Sequence, residues 1–380
     1  MKNKLVLLAT AASTALLAST AIATSQGAAL EACENCANEL TVVSWGGAYQ
    51  ESQLKAYVEP YTAATGTKIV FDESANQSVA KLRAQAEAKN ITWDLVDVEG
   101  PDAVRLCDEG LAAEIDVDAV LAGTADGKTA TEDFGGSLIS PCFVPQIVFS
   151  TTFGYRNDVA AWNGAKPDSV CAIFDTAKFP GKRSLEKGPK KNLEWALLCD
   201  GVAKDDLYSV METPEGIDRA LAKLDTIKSD VVWWSAGADT PQLLADGEVV
   251  IGSTYNGRLF SVIEEKKQPV SMLWDYQVFD FDGWIIPANI PEDRANRVKH
   301  FLKFATDTQR LADQAKYISY GPARASSAPL VGKHATLGID MAQHMPTDPN
   351  NMGNIIINNI AWWSSYADDV DAKFQAWLAK

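Results

Sequence analysis

The chain has 380 residues, 47% apolar and 22% charged, which is ordinary for a soluble globular protein and long enough for two domains with cores of their own. Its 50 acidic against 34 basic residues give a formal charge of −16, a balance that repels nucleic acid and anionic lipid and tolerates or attracts cations.

In chain order, Lys2 and Lys4 precede a weakly apolar run over residues 5–23 that ends in Ala21-Ile22-Ala23, a small-x-small processing pattern. Residues 1–23 are therefore expected to be a secretory signal that is removed, with a membrane anchor as the alternative; no later stretch approaches the ~20 apolar residues needed to span a bilayer. Leu30-Glu31-Ala32-Cys33 resembles a lipobox only loosely. Six cysteines follow the signal, and an even number in an exported chain suggests disulfides. Pairing of neighbours is expected: Cys33 with Cys36, Cys107 with Cys142, and Cys171 with Cys199. A metal reading of Cys33-x-x-Cys36 lacks a second such pair, and His300, His334 and His344 are distant in sequence.

Residues 40–45 read as a strand ending in Gly46-Gly47. A helix follows with Leu54, Tyr57, Val58 and Tyr61 on one face and Gly66 placed to end it. The pattern continues with a strand at 68–71, a helix capped by Asn76 and running to 89, a strand at 94–98, and a helix opened by Pro101. Such alternation predicts doubly wound parallel sheets, whose ligands bind at the carboxyl ends of strands, here Trp45-Gly46-Gly47 and Glu99-Gly100. Residues 116–136 read as loop; Gly123 to Thr129 is one residue too short for a phosphate-binding loop and follows no clear strand. An extended stretch at 143–155 is a candidate for passing between domains. The second block has basic turns around 179–183 and 188–191, a helix at 193–199, and a helix opened by Thr213 and Pro214. A strand at 231–234, a short helix at 242–245 and a strand at 249–252 complete it. Helices are expected at 291–305 and 307–317, and the final helix over 361–378 carries Trp363, Ala367, Val370, Phe374 and Trp377 along one stripe, a core pattern.

Residues 278–289, V-F-D-F-D-G-W-I-I-P-A-N, hold the most suggestive local pattern. Alternation puts Asp280 and Asp282 on one side of a strand and Phe279 and Phe281 on the other. Two readings stand: an edge strand with a solvated face, or a pair of carboxylates aimed at a site, since acids beside a buried apolar run need a partner or an opening.

Val42-Val43-Ser44-Trp45-Gly46-Gly47, Thr254-Tyr255-Asn256-Gly257 and Phe281-Asp282-Gly283-Trp284-Ile285-Ile286-Pro287-Ala288-Asn289, with Tyr320-Gly321-Pro322 and Ala361-Trp362-Trp363, resemble the periplasmic solute-binding proteins of ABC importers, in particular their spermidine/putrescine branch. The resemblance implies an α/β, two-lobed periplasmic-binding-protein fold (type II), each lobe a doubly wound sheet flanked by helices and joined to the other by hinge crossings. The lobes are expected at 38–150 with 283–335 and at 151–282 with 336–380. It further implies a monomer in the periplasm, partnered by an amine ligand and an inner-membrane ABC permease, with no cofactor, metal or nucleic acid. Carried over by position, Trp45 is the first-strand aromatic, Glu99 a polar contact after a strand, Tyr255 a ring that stacks on the ligand, and Asp282 the carboxylate for an amine. Asp280 stands where spermidine binders carry an aromatic. Where those binders place acids for the far ammonium, this chain has Pro189-Lys190-Lys191, the opposite sign.

An ammonium leaving water regains its lost hydration from carboxylates and ring faces, which Trp45, Trp234, Tyr255, Asp280, Asp282 and Glu99 could supply. If Lys190, Arg183 or Arg324 also faces the ligand, a zwitterion or carboxylate-bearing amine fits better than a polyamine. Two other classes compete. An exported enzyme would need a nucleophile with its base, and neither G-x-S-x-G nor H-E-x-x-H occurs. A ferric-iron binder of the same fold would use clustered tyrosines, and Tyr255 has no adjacent second tyrosine.

Overall fold

The structure, a computed structural model, describes residues 30–380, so the expected signal segment lies outside the described residues. Among the described residues ten strands form one mixed sheet: β1 (Glu39–Val43), β2 (Lys68–Asp72), β3 (Leu95–Glu99), β4 (Val144–Arg156), β5 (Arg183–Glu186), β6 (Val231–Trp234), β7 (Ile251–Tyr255), β8 (Val270–Ile285), β9 (Gly321–Pro322) and β10 (Ile355–Ile357). Their order is β2-β1-β3-β8-β4-β7-β5-β6, with β9 on β4 and β10 on β8. β1 is parallel to β2 and β3, and β5 is parallel to β6 and β7. These are the two parallel winds that strand–helix alternation predicts, because parallel neighbours need a crossover.

Between the winds run two long antiparallel strands. β4 pairs with β8 along most of its length and with β7 through Thr151 to Tyr155, while the last residues of β8 pair with β3 from Val96 to Glu99. Both strands thus take part in both halves of the sheet. β8 starts eight residues earlier than the alternating stretch suggests, since Val270 to Leu273 pair with β4 and a register shift at residues 274–277 leads into Val278. Strand β7 likewise runs on to Tyr255.

Local signals for helix ends mostly hold. Gly66 closes the helix Glu59–Thr65 in the left-handed region, and Thr213 accepts from Gly216 N at the start of the helix Pro214–Asp225. Asn76 is an exception. The helix there is Ser78–Glu87, with no side-chain cap, and Asn76 instead donates to Ser235 O at 3.3 Å. Residues 116–136 are not all loop, since Thr129 and Glu132 make a capping box for a short helix, Ala130–Phe134.

Two main cores result. One packs Leu82 and Leu106 against Val43, Val96, Val98 and Ile285; the other packs Phe153, Leu193 and Trp195 with the buried stripe Trp363, Ala367, Val370, Phe374 and Trp377 of the helix Ile360–Leu378. Disulfides join Cys33 to Cys36, Cys107 to Cys142 and Cys171 to Cys199, the pairing of neighbours expected. Cys107–Cys142 closes a separation of 35 residues and ties the helix Gly100–Asp108 to the start of β4. Replacing both cysteines by serine should cost roughly 2–4 kcal/mol of stability in urea unfolding, mainly by freeing the unfolded chain.

Candidate ligand-binding site

The carboxyl ends of parallel strands from both halves of the sheet converge on one cavity of about 380 Å³. Trp45 follows β1, Glu99 ends β3, Glu186 ends β5, Trp234 ends β6 and Tyr255 ends β7; all five line it. Lys190, from the turn after β5, and Arg258, from the helix Asn256–Phe260 after β7, join them. A recess of about 20 Å³, room for one water-sized group, adjoins it and shares Trp45, Glu99, Tyr255 and Arg258. Tyr49, Ile147, Phe149, Tyr320 and Asp282 complete the recess, so the Asp282 carboxyl sits among five aromatic rings.

Asp282 is 3% exposed. Its Oδ2 accepts from Trp45 Nε1 at 2.8 Å, and its Oδ1 lies 2.7 Å from the Tyr49 hydroxyl, which is also 2.6 Å from Gln146 Oε1. That hydroxyl has one proton for two acceptors, so a protonated Asp282 satisfies both contacts. Burial first, and then the charge of Asp97, push the Asp282 carboxyl well above the ordinary carboxylate range. Asp97 is 0% exposed and is itself pushed up to about 8 by burial, although Gln53 Nε2 donates to both of its oxygens.

Asp280 and Asp282 part company. Asp280 is also 3% exposed but lines neither the cavity nor the recess. It accepts from Asn358 Nδ2 at 2.5 Å and from Phe281 N at 2.8 Å, and burial followed by the charge of Glu99 pushes it up to about 7. The solvated-edge reading fails for both, because β8 lies in the interior of the sheet between β3 and β4.

Glu99 is engaged by two lysines, Lys190 from the cavity lining and Lys191 from outside it. Lys191 Nζ donates to it at 2.9 and 3.1 Å, and Lys190 Nζ lies 3.6 Å from it and 3.3 Å from Asp102. Burial disfavours the Glu99 charge, but the two ammonium groups outweigh that cost and hold its carboxyl below the usual range. Burial likewise opposes the Lys191 charge, and Glu99 with Glu186 more than restores it.

Arg258, which sequence reasoning missed, reaches across to the first wind. Its Nη2 donates to Trp45 O at 3.0 Å and Gly46 O at 3.3 Å, and its guanidinium lies 5.8 Å from the Tyr255 ring centre. Two glycines make room for it. A Cβ at Gly47, where φ is +57°, would come within 2.8 Å of the guanidinium, and one at Gly237 would meet both Arg258 Nε and the Tyr255 ring. Tyr49, Phe149 and Tyr320 were also missed; Tyr49 lies one helical turn beyond Trp45 and Tyr320 heads the Tyr-Gly-Pro turn, but only β4 and β9 bring them together. The expectation that Arg324 meets a ligand is not met: it is 1% exposed, bonded to Asp133 at 2.6 Å and to two backbone carbonyls, and lines neither space. Arg183 is also held by backbone carbonyls, Ile173 O and Gly181 O.

The model of the bacterial extracellular solute-binding proteins matches residues 56–347. The chain belongs to that family. As an extracellular solute-binding protein of the ABC-importer type, it is 34% identical over 341 residues to the gamma-aminobutyric acid-binding protein of Pseudomonas aeruginosa, covering 90% of this chain and 91% of that protein. The structure of the Atu4243-GABA receptor is similar at 32% identity, TM-score 0.74, covering 90% and 98% of the two chains. So is MotA of A. tumefaciens B6, solved with glucopine, at 26% identity, TM-score 0.78, covering 90% and 99%. The expected type II periplasmic-binding-protein fold is borne out by these likenesses. This solute-binding protein has no helix, among the described residues, long and apolar enough to cross a membrane.

Two outcomes test the electrostatics. Glu99→Gln leaves Lys191 buried without its nearest carboxylate and should cost about 3 kcal/mol in urea unfolding, less when combined with Lys191→Met. Asp97 and Asp280 have folded-state values above the ordinary carboxyl, so between about pH 4 and 8 the folded chain holds protons that the unfolded chain has lost. Stability should therefore fall as pH rises through that window, and Asp97→Asn should flatten the decline. The depressed Glu99 acts oppositely, its contribution being lost only as pH falls through its folded value in acid.

Proposed function

We propose that this periplasmic component of an ABC importer captures a small solute carrying both an amine and a carboxylate, such as γ-aminobutyrate. The observation that carries the reading is a wall of mixed sign: Arg258 and Lys190 line the same cavity as Glu99, and the adjoining recess places Asp282 among aromatic rings. The recess suits an ammonium, which would gain ring faces in place of water and whose charge would favour release of the Asp282 proton to solvent, leaving a carboxylate beside it. Arg258, a planar fork of donors, suits the carboxylate. The names of two relatives similar to this chain support the same ligand class.

A polyamine fits less well. Its second ammonium would meet Lys190, and Glu99 is already engaged by Lys190 and Lys191. Binding without turnover accords with relatives whose names describe binders. Among the described residues no cluster of His, Cys, Asp or Glu is arranged to hold a metal.

The lobes in this reading are 38–150 with 283–335 and 151–282 with 336–380, and β4 and β8, which pair in both halves of the sheet, are the crossings between them. Arg258 and Trp45 would come from opposite lobes, and so would Asp368 and Arg105, which meet at 2.5 Å beside the cavity. A ligand touching both sides favours the closed arrangement that the permease reads.

Thermal unfolding with γ-aminobutyrate, putrescine and spermidine tests this. At 100 times its dissociation constant the true ligand adds about 2.7 kcal/mol. γ-Aminobutyrate should stabilise the protein, and Arg258→Met should weaken its binding roughly tenfold or more. A response to the polyamines with none to γ-aminobutyrate would refute the reading.

A further inference from the structure

Lys191 sits where a chain seldom puts a lysine. Its φ is 69°, in the left-handed region, and its side chain is 2% exposed just before the helix Asn192–Cys199. A buried ammonium requires carboxylates, and Lys191 takes them from the cavity wall, bonding Glu99 at 2.9 and 3.1 Å. Glu186, at the end of β5, also favours the Lys191 charge. Lys191 itself does not line the cavity; Glu99 and Glu186 do, so it approaches them from behind.

We infer that Lys191 is a specificity-determining residue, a tethered ammonium that occupies the counter-charge of Glu99 and so denies the cavity to solutes with a second cationic group. The inference rests on the amine-carboxylate reading and narrows it to solutes with a single amine. A diamine with one ammonium in the Asp282 recess would carry its other ammonium to a wall where Glu99 is already paired with Lys191 and where burial favours the uncharged form of Glu186. It would lose hydration there, find the Glu99 charge already taken, and face the like charge of Lys190. Taking the charge from Lys191 reverses the balance. Glu99 is then a buried carboxylate at the cavity wall short of a cation, and a ligand ammonium is the group that restores it.

The test is titration calorimetry of γ-aminobutyrate and putrescine against the wild type, Lys191→Met, Lys191→Asn and Lys190→Met. Methionine keeps the apolar stem of lysine, and asparagine tolerates the left-handed backbone. Wild type should bind γ-aminobutyrate and give no heat with putrescine. Both Lys191 variants should bind putrescine at least about tenfold more tightly than wild type does, with a smaller gain for Lys190→Met. Circular dichroism reports folding; should neither Lys191 variant fold, Lys190→Met, altered at a side chain 20% exposed, decides the matter by whether it shows that smaller gain over wild type. Folded variants with no gain in putrescine binding overturn the inference while leaving the amine-carboxylate reading intact. A wild type that binds putrescine and ignores γ-aminobutyrate overturns both.

Discussion

A charge drawn out of water must find its opposite, and the Glu99–Lys191 pair is where this protein meets that demand most directly. The pair links the end of β3 to the turn after β5, so one wind of the sheet supplies the carboxylate and the other the ammonium. Through Lys190 it extends to Asp102 in the first turn of the helix Gly100–Asp108. Separating the two sides would leave both charges buried without partners, which makes this one of the costliest contacts in the molecule to break. The cavity lies beside that junction, and its charge pattern is what remains after the pair is satisfied.

A second set of buried polar groups lies deeper, behind the recess. Gln53, Gln146 and Gln314 link Asp97, Tyr49, Tyr57 and Asp282 in one connected network with no lysine or arginine in it. Carboxyls held by amides and phenols but not by cations stay protonated more readily, in keeping with the direction of their shifts. The contrast with Glu99 is one of partner, not of depth. All three acids are buried, yet only the one facing ammonium groups is held in its charged form.

Arg258 relates packing to recognition. Its guanidinium passes between Gly47 and Gly237, donates to the backbone after β1 and rests against Tyr255. The absence of two Cβ atoms is thus as much a part of the cavity as the charged groups. A side chain fixed at several points is already oriented before a ligand arrives, which lowers the entropy cost of holding a carboxylate.

Sequence alone determined the features that depend on neighbours along the chain. Strand–helix alternation announced two parallel winds, Gly66 and Thr213 marked helix ends, the spacing of Trp363, Ala367, Val370, Phe374 and Trp377 marked a buried stripe, and strand ends pointed to Trp45 and Glu99. Even the inversion of sign at Lys190 and Lys191 was legible. Tertiary structure decided whatever depends on residues far apart. Asp280 and Asp282 read alike along the strand, but Asn358 claims one and Tyr49 and Trp45 claim the other. Arg324 and Arg258 are equally basic in sequence, yet Asp133 holds the first away from the cavity while two glycines admit the second. Periodicity encodes which side of an element a residue faces, because that follows from backbone geometry; which partner it meets there follows from packing between separate elements, and no local pattern carries that.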